Sequence, residues 1–396
     1  PRGLPKGSLR AGVLRTCLLL VSLVPLAGCD DPTAPADLPE RFVAVAVGDA
    51  HSCALSVDGA AWCWGSNAFG QLGSDGIERS AWPRRVDGDR VFVELSAGFG
   101  HTCGITADGE AWCWGRGRSG QLGNGSRSDR FRPAPVAGDH AVRTLSAGHA
   151  HTCATTTDGT ALCWGDNAYG QLGTGSPEGP TGFPEGSTVP VPVDHPGGFY
   201  SIAAGNTHSC GAALNGATYC WGANDGAQLG TGIFQPSPVP IWVHTDLTFT
   251  SLSAGFETSC GVATTGGAYC WGANARGQLG VGPRGPAGNP LPVQAPSTLA
   301  SVRAGPGWHV CGVSGGGVAY CWGAGTAGQL GDGGTADSDR PVPVSTDAVF
   351  VQVSPGLRHS CGLTVDSAVY CWGGGGAGQL GNGTYRDALT PVRVGD

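Results

Sequence analysis

Histidines recur at one position of a repeated sequence pattern, and imidazole is the side chain best suited here to hold a metal ion or carry a proton. The six are His51, His101, His151, His208, His309 and His359, and Thr258 stands at the seventh equivalent position. A ring of imidazoles could bind a divalent metal. Because side chains that recur in every repeat usually hold a scaffold together, we interpret these histidines as hydrogen-bonding partners of the backbone. We expect no metal site and no cofactor.

Cysteines recur as well, in pairs whose members are ten residues apart. The pairs are Cys53 and Cys63, Cys103 and Cys113, Cys153 and Cys163, Cys210 and Cys220, Cys260 and Cys270, Cys311 and Cys321, and Cys361 and Cys371. Each pair could be a disulfide or two buried thiols. A zinc site is disfavoured, because this separation is not the ligand spacing of a zinc finger.

No catalytic group or motif stands out in the sequence. The only lysine is Lys6, so a lysine nucleophile, a Schiff base and a P-loop are excluded from the rest of the chain. His-Glu-x-x-His does not occur, and no pair of carboxylates suggests glycoside hydrolysis. From Asp30 onward, the chain has 18 arginines and 30 acidic residues, so its net charge is negative. We therefore predict no enzyme and no nucleic-acid-binding surface, which would be basic.

A unit of about 50 residues, present seven times, must position these side chains. Successive first cysteines are 50, 50, 57, 50, 51 and 50 residues apart. The second cysteine of each pair begins Cys-Trp-Gly, and Gln-Leu-Gly begins six residues after that glycine in every unit. The units fill residues 42–396.

Each unit predicts four short strands. In the second unit, residues 91–95, 101–105 and 110–114 have strand character, and the proline-containing stretch 133–136 suits the edge of a sheet. Four strands in each of seven units, without helical periodicity, predict an all-β fold, a seven-bladed β-propeller over residues 42–396. A glycine-rich solenoid is the alternative, since 71 of the 396 residues are glycine.

The turn between the second and third strands predicts how the cysteines pair. A three-residue turn over residues 57–59 usually has a left-handed glycine as its third residue, which is Gly59 here; the last unit alone departs, with Ser367. This turn places Cys53 opposite Cys63. Directly opposed cysteines on antiparallel strands are close enough for a disulfide. We therefore predict one disulfide inside each blade.

The N-terminal residues predict export. A basic stretch precedes the apolar run 17–26, which is too short to span a bilayer, so residues 1–28 are predicted to be a signal peptide. The sequence Leu-Ala-Gly-Cys that ends at Cys29 resembles a bacterial lipobox; an ordinary signal peptide with a chance cysteine is the alternative. Residues 29–41 are acidic and proline-rich, as in a short tether. We expect an extracytoplasmic bacterial lipoprotein of the cell envelope, anchored in the membrane through Cys29.

The repeated unit resembles the RCC1 repeat (regulator of chromosome condensation). The resemblance lies in Ala-Gly-x-x-His-Ser/Thr-Cys followed by Cys-Trp-Gly-x-Asn-x-x-Gly-Gln-Leu-Gly, and it covers residues 42–396. It implies a seven-bladed propeller whose ring is closed by its chain ends. The nuclear member of the family is a chromatin-bound nucleotide exchange factor for a small GTPase. That activity is not expected here, because this chain has the features of an exported protein and an acidic N-terminal extension.

Residues that differ between units at equivalent positions are the candidates for binding a partner. Those between the repeated glycine and the histidine include Phe99, His149, Asn206, Phe256, Trp308 and Arg358. If they lie in turns, they surround one face, and the aromatic ones would be exposed beside charges, as in interface hot spots. The alternative is that they pack into neighbouring blades. A second variable set follows Cys-Trp-Gly and includes Phe69, Arg116, Arg118 and Tyr169.

Together these features predict a lipid-anchored, monomeric propeller that acts as a non-enzymatic scaffold for an envelope or extracellular protein. The alternative is a secreted inhibitor of an enzyme, because a secreted propeller of the resembled family inhibits β-lactamases through its loop face. A carbohydrate-binding propeller and a GTPase exchange factor are less favoured.

Overall fold

The computed structural model describes Pro35, residues 38–175 and residues 186–396. All of its regular elements are β-strands of five to seven residues. Within those ranges no helix is long and apolar enough to cross a membrane. The predicted signal peptide, Cys29 and most of the predicted tether lie outside the described residues.

The strands, numbered in chain order, fall into four classes. The first strand of each repeat is Phe42–Val47 (β1), Phe92–Ala97 (β5), Val142–Ala147 (β9), Phe199–Ala204 (β13), Phe249–Ala254 (β17), Leu299–Ala304 (β21) or Phe350–Pro355 (β25). The second is His51–Ser56 (β2), His101–Thr106 (β6), His151–Thr156 (β10), His208–Ala213 (β14), Thr258–Ala263 (β18), His309–Ser314 (β22) or His359–Thr364 (β26). The third is Ala61–Ser66 (β3), Ala111–Gly115 (β7), Ala161–Gly165 (β11), Thr218–Gly222 (β15), Ala268–Gly272 (β19), Ala319–Gly323 (β23) or Val369–Gly373 (β27). The fourth is Arg79–Arg85 (β4), Arg130–Pro135 (β8), Ser187–Pro192 (β12), Ser237–Trp242 (β16), Ala287–Pro292 (β20), Ser338–Pro343 (β24) or Ala388–Arg393 (β28).

Each run of four consecutive strands forms one antiparallel sheet, and the seven sheets are the blades of a propeller. The first strands line a central channel, and the fourth strands lie at the outer edge. The predicted all-β, seven-bladed propeller is confirmed. The fourth strand of the second blade begins earlier than predicted, at Arg130.

The hairpin between the second and third strands has the predicted register. Gly59 has a φ of 78°, and Ser367, the single non-glycine residue at this position, has a φ of 69°. Cys53 pairs directly with Cys63 across the two strands. All seven predicted disulfides are present, with Cα–Cα distances of 4.0 to 4.1 Å.

The tryptophan of Cys-Trp-Gly ties each blade to the previous one. All seven of these tryptophans are buried, and each donates its Nε1–H to the backbone carbonyl of the Gln-Leu-Gly glutamine in the preceding blade. Trp114, for example, donates to the carbonyl oxygen of Gln71 at 3.0 Å. The two invariant motifs of the repeat therefore hold neighbouring blades together.

The first and last blades meet by the same contacts. Trp64 donates its Nε1–H to the Gln379 carbonyl at 2.9 Å, and the Phe42 backbone N–H donates to the Ser367 carbonyl at 2.8 Å. Within the described ranges no strand is exchanged between these blades, because each sheet consists of consecutive strands. The ring is closed by packing and hydrogen bonds.

Candidate protein-binding face and central channel

The six recurrent histidines lie between blades rather than in an open site. Each imidazole is buried, and its Nε2 lies 2.9 Å from a serine or threonine hydroxyl on the second strand of the next blade. His101, for example, contacts Thr152. The prediction that these histidines bond to the backbone is therefore wrong. Their partner is a side-chain hydroxyl of the neighbouring blade.

The hydroxyl partner determines the tautomer of these histidines. Thr152 donates its single hydroxyl proton to the Gln121 carbonyl at 2.8 Å, so His101 must donate from Nε2. Nδ1 is then unprotonated, and it is buried without a hydrogen-bond partner in all six histidines. Burial lowers the pKa of each from 6.5 to about 3. The described residues contain no group of three or more His, Cys, Asp or Glu that could hold a metal ion.

One interface lacks this hydrogen bond, and both of its partners have changed. Thr258 stands in place of the histidine on blade five, and Val310 stands in place of the facing hydroxyl on blade six. Thr258 donates instead to the Ala273 carbonyl at 3.2 Å. Val310 is buried in the apolar cluster between the two blades. The paired replacement leaves no imidazole N–H without an acceptor.

The variable residues lie at one end of the propeller. In an antiparallel blade, the turn after the first strand and the loop after the third strand are at the same end. We call this end the upper face, and we call the opposite end, with the turns after the second strands, the lower face. All six predicted binding residues lie on the upper face: Phe99, His149, Asn206, Phe256, Trp308 and Arg358.

The backbone of the upper face is tied into a ring at the channel mouth. Backbone N–H groups of variable residues donate to a glycine carbonyl of the next blade, as in Phe99 to Gly148 at 3.2 Å and Asn206 to Gly255 at 2.9 Å. A Cβ added to Gly98 would lie 2.2 Å from the Gly148 carbonyl oxygen. This close approach requires glycine at the repeated position. The hydrogen-bonded backbone in turn fixes the positions from which the neighbouring variable side chains project.

A cluster that spans three blades forms one side of the upper face. The rings of Phe99 and His149 are 4.3 Å apart. The Arg116 guanidinium lies 5.4 Å from the centre of the Phe99 ring and 5.3 Å from that of Phe69. Burial, with a further contribution from Arg116, lowers the pKa of His149. Phe69 and Arg116 belong to the second variable set, and the sequence alone did not connect them with Phe99.

A second aromatic pair lies on blades five and six. The rings of Phe256 and Trp308 are 4.7 Å apart. Glu257 follows Phe256, and burial raises its pKa, with a further contribution from Asp225. Glu257 and Asp225 place carboxylates beside this aromatic pair, whereas the Phe99 side carries Arg116.

The predicted residues are less exposed than expected. Phe99, Phe256 and Trp308 are half-buried, not fully exposed, because each aromatic ring packs against a ring of a neighbouring blade. Asn206 is also half-buried, and Arg358 is exposed. Phe99, His149 and Asn206 line the channel mouth, whereas Phe256, Trp308 and Arg358 do not.

Asp49 occupies the equivalent turn on blade one. Burial raises its pKa from 3.8 to about 6. Its Oδ1 is buried without a hydrogen-bond partner among the described residues. This carboxylate is therefore held in an unfavourable environment at the edge of the upper face.

The central channel has a volume of about 440 Å³ and opens at the upper face. Polar side chains on its walls bond to the backbone of the next first strand. Gln352 bonds to the N–H and the carbonyl of Val45, and Glu94 accepts from the Leu145 N–H at 3.3 Å. These side chains satisfy strand edges that no further strand covers.

Comparison with known proteins gives the same repeat organisation. A family model described as an RCC1-like domain matches residues 26–307. Models of the regulator of chromosome condensation (RCC1) repeat match residues 316–363 and 366–396, and also 350–379. No curated protein matches the chain by sequence.

Several solved structures have the same fold at low sequence identity. Human WBSCR16 has a TM-score of 0.75 at 23% identity, over 85% of this chain and 94% of that chain. Prp20p from Saccharomyces cerevisiae, described with its binding to Gsp1p and histones, has a TM-score of 0.72 at 22% identity, over 81% and 82%. The CRINKLY WD40 ectodomain of the Arabidopsis thaliana receptor kinase ACR4 has a TM-score of 0.53 at 20% identity, over 84% and 96%. At this identity the likeness concerns the fold alone.

Proposed function

The chain belongs to the RCC1-like repeat family, and on that premise we propose that it is a non-enzymatic, extracytoplasmic scaffold that binds another protein through its upper face. The observation that carries the proposal is the pair of aromatic clusters at variable positions. They stand on a backbone that is hydrogen-bonded from blade to blade. The recurring tryptophans, glutamines and histidines, by contrast, make contacts between blades.

The chemistry of the upper face suits a protein partner. Aromatic rings and an arginine that keep one edge accessible are typical of interface hot spots. Arg116 is held between two phenylalanine rings, so its charge is placed with little further loss of side-chain entropy on binding. The opposite signs of Arg116 and Glu257 would orient a partner of complementary charge.

The seven disulfides indicate an oxidising compartment outside the cytoplasm. Within that compartment we propose membrane attachment through a lipid on Cys29, with the propeller as a monomer and an envelope or extracellular protein as its partner. Mass spectrometry of the mature N-terminus tests the anchor. A diacylglyceryl cysteine at position 29 is expected, and an unmodified start at another residue would remove the anchor from the proposal.

The identity of the partner distinguishes the scaffold from two other functions, enzyme inhibition and nucleotide exchange. An enzyme that loses activity stoichiometrically on binding would make the protein an inhibitor. Nucleotide exchange on a GTPase is disfavoured, because it requires a cytosolic pool in which the paired cysteines are reduced.

The experiment is capture of the partner from an extract of the source's cell envelope. The oxidised protein is cross-linked in the extract beside two triple variants. The upper-face variant carries Phe99→Ala, Phe256→Ala and Trp308→Ala. The matched lower-face variant carries Val57→Ala, Leu214→Ala and Val365→Ala, which truncate side chains that are 61%, 62% and 63% exposed.

The expected result is one protein retained by the parent and by the lower-face variant and lost by the upper-face variant. Retention by the upper-face variant would show that the wrong face has been assigned. If the parent retains no specific protein, the scaffold proposal fails.

A further inference from the structure

One side chain in the central channel has no structural role that accounts for it. The fifth residues of the seven first strands form a layer just inside the upper mouth. Six of them are small: Ala46, Ser96, Ser146, Ala203, Ser253 and Ser354. The seventh is Arg303, on β21, so a single long cation stands in a layer of alanine and serine.

The serines of this layer have a structural task. Ser96 accepts the backbone N–H of Ala147 at 2.9 Å, and Ser146 accepts that of Ala204 at 2.9 Å. Ser253 accepts that of Ala304 at 2.9 Å, so three of the four serines satisfy the last residue of the next blade's first strand. A guanidinium cannot do this, since it has no acceptor atom.

The blade that follows Arg303 does not need such an acceptor. Its corresponding residue is Pro355, which has no backbone N–H. Arginine can therefore replace serine at position 303 without leaving a backbone N–H unpaired, because the residue opposite it is a proline. Thr258 and Val310 are a paired replacement of the same kind. Arg303 is therefore not needed for the hydrogen bond that serine accepts at this position in three other blades.

The guanidinium of Arg303 is also free of a protein partner. In the part of the chain that the structure describes, no acceptor lies within hydrogen-bond or ion-pair distance of it. Its side chain remains accessible to water. Glu94 is the nearby charge in the channel: the two side chains act on each other electrostatically, but Glu94 bonds to the Leu145 N–H.

We propose that the central channel binds a small organic carboxylate, whose carboxylate group pairs with Arg303 and whose hydroxyl or amino groups bond to the channel hydroxyls and Glu94. A volume of about 440 Å³ falls within the range of small-molecule sites. The planar guanidinium binds a carboxylate through two parallel hydrogen bonds. Hydroxy acids, sugar acids and amino acids have this combination of groups.

Calorimetric titration of the oxidised full-length protein tests the site. The probes are glucuronate, gluconate and glutamate, with glucose as the neutral counterpart of glucuronate. Arg303→Ser introduces the residue that four other blades already carry in this layer. Arg284→Ser is the matched control, because it removes the same charge from an exposed loop outside the channel lining. Near-ultraviolet circular dichroism verifies that both variants are folded.

The expected result is saturable binding of at least one carboxylate, weakened tenfold or more by Arg303→Ser and unchanged by Arg284→Ser. Glucose is expected to bind at least tenfold more weakly than glucuronate. The absence of saturable binding by all three carboxylates up to about 10 mM would overturn the proposal. Equal binding by the parent and Arg303→Ser would also overturn it. Neither result depends on the protein partner, so this proposal can fail while the scaffold proposal stands.

Discussion

The hydrogen bond between His208 and Ser259 tests how the blades are joined. Its Nε2–Oγ distance is 2.9 Å, both side chains are fully buried, and Ser259 also donates to the Gln228 carbonyl at 2.9 Å. Ser259→Val leaves the imidazole N–H buried without an acceptor. That loss costs about 1–3 kcal/mol of unfolding free energy. His208→Thr removes the donor and part of the packing, at about 2 kcal/mol.

The double variant is expected to be less damaging than the sum of the two single variants. With the imidazole gone, the valine leaves no N–H without an acceptor, and the interface has the same pair as Thr258 and Val310. The coupling energy between the two substitutions should therefore be about 1–2 kcal/mol in favour of the double variant. Guanidinium chloride unfolding of the oxidised proteins, followed by tryptophan fluorescence, measures all four members of the cycle.

The reverse cycle is the matched control. Thr258→His alone should destabilise the protein, because the imidazole N–H of the new histidine would face the methyl groups of Val310 and find no acceptor. Adding Val310→Ser should recover part of that loss, with a coupling of the same sign. If both cycles are additive within about 0.5 kcal/mol, the interblade hydrogen bond does not have the role assigned to it.

Three further predictions concern stability. Because burial raises the pKa of Asp49 from 3.8 to about 6, its ionisation opposes folding as the pH rises through that range; Asp49→Asn should stabilise the protein by about 1–3 kcal/mol at pH 8 in chemical denaturation, and a gain that persists below pH 4 would contradict this. The six buried histidines have pKa values lowered from 6.5 to about 3, so the unfolding free energy should fall as the pH drops below 6.5, because the unfolded chain binds protons that the folded chain does not, and the loss should reach several kcal/mol near pH 5; a flat pH profile of the denaturation midpoint between pH 7 and 5 would refute it. Replacing Cys103 and Cys113 by serine opens a ten-residue link and should cost about 1–2 kcal/mol, less than loop entropy alone predicts because the hairpin already pairs the two strands; an unchanged denaturation midpoint would contradict it.

The blades could be predicted from the sequence because their strands and turns depend on residues that are close together in the chain. The turn glycines give the hairpin register, and that register places Cys53 opposite Cys63. The last unit departs from the glycine pattern, yet Ser367 takes the same left-handed conformation as Gly59 and the register is kept. Such features depend on residues close together in the chain.

Contacts between blades were harder to predict, because the length of the repeat does not say which residues of neighbouring blades face each other. The histidines were assigned to the backbone, whereas they bond to hydroxyls of the next blade. The joint change of Thr258 and Val310 carried the missing signal within this single sequence. The packing of Phe256 on Trp308, which makes both half-buried, likewise depends on neighbouring blades.

The most direct test of the scaffold proposal is hydroxyl-radical footprinting of the protein with its captured partner. Phenylalanine and tryptophan side chains are oxidised where they are accessible, so the method reports on the aromatic clusters themselves. The proposal predicts that the partner protects Phe99, Phe256 and Trp308 and leaves the oxidation of Val57, Leu214 and Val365 unchanged. Protection of the lower-face residues, with the three aromatics still oxidised, would contradict it.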